Sequence, residues 1–184
     1  MRIGILSDTH GDLVCFDQAM EIIGNADHII HCGDVLPNYS RFGDADAIDA
    51  LAQKIRAIKN ISIVRGNGDT KEHARSLGHD LSSPYLLTDI GPYRFFVTHG
   101  HHYSMMQMIW KAKELGADIV CFGHSHIKVL DSDGEILVLN PGSTSLPRDG
   151  SRSCAVLEDD AVSIYDLETK EILGHLSIPD RSRR

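Results

Sequence analysis

Apolar positions recur along this chain in two rhythms. Short, nearly continuous apolar runs occur at 2–7, 28–32, 61–64 and 117–122, bounded by glycine, aspartate or histidine. Runs of this length read as strands buried on both faces. Between them the spacing turns helical. Leu13, Phe16, Ala19/Met20 and Ile23 predict a helix over 13–23, with Asp12 as N-cap. Ile48, Leu51, Ile55 and Ile58 predict another over 47–58. Met105, Met108/Ile109, Ala112 and Leu115 predict a third over 105–115, with these side chains inward. Strand, helix, strand in this order makes βαβ units with parallel strands and right-handed crossovers. Residues 37–46 read as a loop, and 70–84 as a loop with one short helix.

Hairpin signals mark the second half. Gly91-Pro92 separates apolar runs at 85–90 and 93–98, and Asp133-Gly134 separates 129–132 from 135–139. Asn140-Pro141-Gly142-Ser143 reads as a turn, and 153–158, 162–167 and 171–178 as further strands. The fold class is α/β: two sheets packed face to face, with helices on their outer faces. With 184 residues and no linker or repeat, the chain reads as a single domain over 1–184.

Charge narrows the partners. A net charge of -8 predicts no strong nucleic-acid surface, which needs a basic patch. The short basic end, 181–184, reads as a frayed tail. No apolar leader or 18-residue apolar run occurs, so no membrane contact is expected. The four cysteines, Cys15, Cys32, Cys121 and Cys154, lack zinc-site spacing and predict a reduced, cytoplasmic protein.

The chemistry sits at the strand ends. Gly123-His124-Ser125-His126 follows the strand at 117–122, and an extended chain would aim two imidazoles at i and i+2 to one side. Asp8 and His10 follow the first strand in the same spacing. Asp34 ends the second strand, Asn67 sits on a glycine-flanked turn after the third, and His99 ends the run at 93–98. All seven side chains bind divalent first-row metals, and none is a thiolate, which suits Mn²⁺, Fe²⁺ or Zn²⁺. Seven ligands suit two ions about 3.5–4 Å apart that share a carboxylate. His28 and His31 read as strand residues, and His73, His79 and His175 as surface ones.

Asp8-Thr9-His10, Gly33-Asp34, Gly66-Asn67-Gly68-Asp69, His99-Gly100-His101 and Gly123-His124-Ser125-His126 resemble, in order and spacing, the five blocks of the calcineurin-like metallophosphoesterases. The short chain, the Arg65-Gly66-Asn67-Gly68-Asp69 form and Asn140-Pro141-Gly142-Ser143 resemble the YfcE-type phosphodiesterase group. The resemblance implies a four-layer αββα sandwich of two mixed β-sheets. It implies two divalent ions, Mn²⁺ foremost, with Fe, Zn, Ni or Mg as alternatives. Asp8, His10 and His126 would hold one, Asn67, His99 and His124 the other, with Asp34 bridging. The implied activity is hydrolysis of a small phosphate diester by a metal-bridging hydroxide. The same site on a monoester, or a protein-binding scaffold like the retromer subunit, are the alternatives, and dimeric relatives imply a homodimer or higher homo-oligomer. The resemblance places Asp34, Asn67 and His99 in catalysis. Many members carry a proton-donating histidine where this chain has Gly68, so no obvious general acid stands there. His101 is a candidate substitute or phosphate contact, Arg65 a candidate phosphate contact, and Asp69 reads as orienting the turn.

Overall fold

The computed structural model of the chain describes residues 1–37 and 45–179. The predicted tail 181–184 and most of the predicted loop 37–46 lie outside the described residues. In chain order the elements begin with β1 (Arg2–Leu6), α1 (Leu13–Ile23), β2 (His28–His31), α2 (Ala45–Ala57), β3 (Ile61–Ile63) and α3 (Lys71–Leu77). They continue with β4 (Tyr85–Ile90), β5 (Tyr93–Thr98), α4 (Met105–Glu114), β6 (Ile119–Cys121), β7 (Val129–Ser132) and β8 (Leu137–Asn140). The chain closes on β9 (Ser153–Glu158), β10 (Ala161–Asp166) and β11 (Ile172–Ser177).

The strands form two mixed sheets, ordered β11-β10-β9-β1-β2-β3 and β4-β5-β6-β8-β7. In the first, β1, β2 and β3 are parallel, and β9 returns antiparallel beside β1. In the second, β5, β6 and β8 are parallel, with antiparallel β4 and β7 at the edges.

Strand alternation explains the layering. Ile3 and Ile5 of β1 face Phe95 and Val97 of β5, Ile119 and Cys121 of β6, and Leu137 and Leu139 of β8 in the layer between the sheets. The intervening Phe96, Val120 and Val138 point the other way, under Met108 and Ala112 of α4. On the first sheet's outer face, Leu6 packs with Phe16, Ile23, Leu51 and Ile55 of α1 and α2. Each such fully buried side chain contributes about 1.5–3 kcal/mol. Gly4 lets α1 lie on β1, since a Cβ there would stand 2.4 Å from Ile23 Cγ2. The result is the four-layer αββα sandwich.

Two local expectations change. Met105 is exposed rather than inward, because the helix begins there and only Met108 and Ala112 face the sheet fully. His73 is buried rather than on the surface. The short helix in 70–84 is α3, and His73 is its third residue, closing a capping box with Thr70. That turn carries the ring inward towards Asp69, 3.8 Å from its Oδ1. Among the described residues no helix is long and apolar enough to cross a membrane.

Candidate metal centre

The parallel strands β1, β2 and β3 of one sheet and β5 and β6 of the other run to the same edge, where open sheets place their ligands. The turns leaving β1 and β2 are bonded together, with Asp8 N–H donating to Gly33 O (3.0 Å) and His10 N–H to Asp34 O (3.0 Å). Gly123 N–H donates to His99 O (3.1 Å), which joins the exits of β6 and β5.

The reason the side chains converge differs from the sequence expectation. Asp8, His10, Asp34, His124 and His126 all have positive φ, at 54°, 48°, 54°, 66° and 58°. None is in extended chain, so the i, i+2 alternation does not aim them. A left-handed turn at each residue does, at about 1–3 kcal/mol apiece. It also separates the pairs: His126 turns to Asp8, and His124 to Asn67.

Among the described residues two groups of potential ligands result, Asp8, His10 and His126, and Asp8, Asp34 and His99. His126 Nε2 is 3.2 Å from Asp8 Oδ1 and 3.3 Å from His10 Nε2. Asp34 Oδ2 lies between the groups, 3.5 Å from His99 Nε2 and 3.9 Å from His10 Nε2. Asn67 Oδ1 is 3.1 Å from His99 Nε2 and 2.8 Å from His124 Nδ1.

The donor set fits cations. His99 Nδ1–H donates to Cys32 O (2.7 Å), and His126 Nδ1–H to Leu146 O (2.6 Å). Both bonds fix the tautomer that turns a bare Nε2 lone pair inward, as ligand histidines require. Asn67 Oδ1 then faces the His99 lone pair, acceptor against acceptor. Asp8 Oδ1 is buried with no hydrogen-bond partner among the described residues, while Oδ2 accepts from Ser7 Oγ–H (2.6 Å) and His124 N–H (3.1 Å). An orphaned carboxylate oxygen among imidazole lone pairs is costly unless a proton or metal ion sits there.

The titration behaviour agrees. The Asp8 carboxylate, with Oδ1 3.2 Å from Nε2, raises the His126 pKa above its ordinary value, against burial. For His99 burial works downward, yet Asp34 and Asp8 together carry its pKa upward. Asp34 falls to about 2: burial opposes this, but His99 and the Gly68 N–H (2.7 Å from Oδ1) outweigh it. His10 and His124 are lowered chiefly by burial.

A cleft of about 330 Å³ opens over the cluster, lined by His10, Asp34, Leu36, Pro37, Asn67, Gly68, His124, His126, Leu146 and Arg148. An apolar hollow of about 340 Å³, with Leu13, Val14 and Ala47, shares His10 and Leu146 with it. A larger hollow of about 530 Å³ around Asp89, Arg94 and Asp118 contains no histidine, and Arg94 there is paired with Asp89. Of these three hollows, the cleft at the strand ends is the one that gathers several imidazoles around a carboxylate, whatever the relative sizes.

The remaining predicted residues fall around it. Asp69 holds the turns: its carboxylate accepts from the N–H groups of Asp34 (2.9 Å), Val35 (3.1 Å) and Gly66 (2.8 Å). His101 stacks on His102 at 3.8 Å between ring centroids and stands 6.0 Å from His124, outside the cleft lining. Burial, then the neighbouring His102, His99 and His124, push its pKa down to about 4. Arg65 is exposed and is not among the lining residues. The turn at 140–143 does more than shape the chain behind the site. Asn140 Nδ2–H donates to Gly123 O (2.9 Å), and Ser143 Oγ–H to Asp8 O (2.7 Å). It leads into Leu146 and Arg148, which sequence reasoning missed. The only signal was their closeness to the Asn140-Pro141-Gly142-Ser143 run.

Beneath Asp8 lies a buried polar chain. Gly33 N–H donates to His31 Nδ1 (3.2 Å), so His31 is protonated on Nε2, which donates to Thr9 Oγ1 (2.9 Å). Burial pushes the His31 pKa down to about 4. The unfolded chain takes up this proton near pH 6.5 and the folded one only near 4, so U binds more protons between them. His31 therefore destabilises the fold progressively as pH falls through that window, by up to about 3 kcal/mol. In metal-stripped protein, denaturant midpoints at pH 7, 5.5 and 4.5 should fall more steeply for wild type than for His31→Gln. Parallel slopes would contradict the buried neutral ring.

The sandwich and the nitrogen–oxygen cluster at its strand ends define a metallophosphoesterase type of protein. The chain belongs to the calcineurin-like phosphoesterase superfamily, whose domain model matches residues 1–161. It is 31% identical to phosphodiesterase MJ0936 of Methanocaldococcus jannaschii over 93% of this chain and 96% of that protein. It superposes on YfcE, a phosphoesterase from E. coli, with TM-score 0.82 and 26% identity, covering 97% of this chain and 100% of that one. Vps29 from Entamoeba histolytica, solved with zinc, has TM-score 0.68 at 18% identity, over 96% and 99% of the two chains. That likeness shows the fold alone.

Proposed function

We propose that this chain is a divalent-metal-dependent phosphodiesterase acting on small phosphate diesters. The observation that carries the reading is the orphaned Asp8 Oδ1 among the inward lone pairs of His126 and His99. The names of the similar proteins, a phosphodiesterase and a phosphoesterase, support it. Asp8, His10 and His126 would hold one ion and Asn67, His99 and His124 a second, with Asp34 facing both. When bound, two divalent ions would lower the pKa of water and polarise the phosphoryl oxygens. The nitrogen–oxygen donor set suits Mn²⁺, with Fe, Zn, Ni or Mg as alternatives. The four buried free cysteines support a reducing, cytoplasmic setting.

The protein's own groups do the positioning. Cys32 O and Leu146 O hold His99 and His126 in register, and Gly68 N–H fixes the second carboxylate oxygen of Asp34. The apolar hollow beside His10 suits an apolar ester arm. Gly68 offers no side chain to protonate a departing alkoxide, which forgoes a factor of about 10²–10⁴ for poor leaving groups. Rates over a series of diesters should therefore fall steeply as leaving-group pKa rises. Equal rates for nitrophenyl and alkyl esters would show that another residue supplies the proton. The deciding assay is hydrolysis of bis-p-nitrophenyl phosphate beside p-nitrophenyl phosphate by chelator-stripped protein, with and without Mn²⁺. Mn²⁺-dependent cleavage favouring the diester supports the proposal. Monoester preference would make it a phosphatase, and inactivity with every metal would favour a scaffold.

A further inference from the structure

One wall of the cleft is the segment 143–148, and it is bolted to the histidine cluster. Leu146 O accepts from His126 Nδ1–H (2.6 Å), and Arg148 N–H donates to His126 O (3.0 Å). Ser143 Oγ accepts from Leu146 N–H (2.8 Å) while donating to Asp8 O (2.7 Å). The backbone of Arg148 is thus positioned by two of the residues around which the site is built. On its far side, Asp149 is occupied, accepting from Lys128 N–H and Nζ–H at 2.6 Å each. The acid next in sequence is therefore turned to Lys128.

Arg148 is the only lysine or arginine among the described residues that line the cleft. Its guanidinium is exposed and makes no hydrogen bond or ion pair with a described residue. An uncommitted arginine beside His10, Asp34 and His126, in a chain of net charge -8, calls for an anion. We propose that Arg148 binds a non-bridging phosphoryl oxygen of the substrate. The inference rests on the phosphodiesterase reading and adds the substrate-anion contact to it. A guanidinium presents a planar fork of N–H donors matched to two phosphate oxygens, and keeps its proton at neutral pH. It therefore grips the anion and does not replace the missing general acid.

The test is R148Q against wild type, both loaded with Mn²⁺. KM for bis-p-nitrophenyl phosphate should rise about tenfold or more, the worth of a hydrogen bond to a charged group. The kcat should change much less, as expected when ground-state and transition-state binding are lost together. Calorimetric titration with inorganic phosphate should show an affinity loss of similar size, with Mn²⁺ stoichiometry unchanged. Equal phosphate affinity in the two proteins overturns the proposal. If the wild type hydrolyses no ester, the phosphodiesterase reading fails separately, and the phosphate titration still decides the role of Arg148. Should R148Q lose Mn²⁺, R148K decides: weaker phosphate binding with Mn²⁺ retained supports the contact, and wild-type affinity refutes it.

Discussion

Asp34→Asn should lower kcat/KM for a phosphate diester by more than about 100-fold at saturating Mn²⁺, beyond the 10–100-fold typical of groups that only orient metal ligands. The two residues have the same shape, so packing is kept and charge is removed. Asp34 Oδ1 already accepts from Gly68 N–H, which leaves Oδ2 to face His99 Nε2 at 3.5 Å and His10 Nε2 at 3.9 Å. In asparagine the oxygen is drawn to Gly68 N–H, and the amide nitrogen then takes the Oδ2 position. A group that can only donate would point at the place where an anion is needed. The surroundings are tuned for that anion, since Asp34 is held ionised down to about 2, with burial overcome by His99 and Gly68. Metal content and steady-state kinetics on one preparation check the prediction. Activity within tenfold of wild type, with two ions bound, would remove Asp34 from the centre of the mechanism.

Gly123→Ala should disable the site from the opposite strand. A Cβ at Gly123 would stand 2.0 Å from Ser7 Oγ and 2.6 Å from Asp8 Oδ2. Neither neighbour can swing aside, because Ser7 and Asp8 are fully buried and Ser7 Oγ–H is bonded to Asp8 Oδ2. The methyl must push β6 from β1 or turn the Asp8 carboxylate. Overpacking of this kind costs about 1–3 kcal/mol. The larger loss is chemical, since a turned Asp8 withdraws Oδ1 from His126 and His10. The expected result is a lowered unfolding midpoint together with weakened Mn²⁺ binding and a more than 100-fold fall in kcat/KM. Wild-type metal affinity in a folded Gly123→Ala protein would show that Asp8 is not held in the way the geometry indicates.

Much of this was legible before any coordinates. Apolar runs such as Ile3-Gly4-Ile5-Leu6 and Ile119-Val120-Cys121-Phe122 declare buried strands, because two-sided burial leaves no polar alternation. Glycines, acids and histidines after each run mark the strand ends. Parallel βαβ connections bring such ends to one edge, so the candidate donors could be named by position.

What the residues alone did not reveal is how the donors meet. Periodicity within a segment reports which face is buried, but it carries no information on the order of strands across a sheet or on left-handed turns. His10 and His126 face each other across 116 positions only because the two sheets stack. The left-handed φ values at Asp8, His10, Asp34, His124 and His126 are imposed by bonds between turns from different strands, against local preference. The same holds for Arg148, an ordinary surface residue by sequence. The local chain thus determined the strands, the layers and the chemical type of the centre. Only the tertiary structure decided which carboxylate oxygen is left without a partner among the described residues and which arginine lines the cleft, because both depend on contacts between segments far apart in the chain.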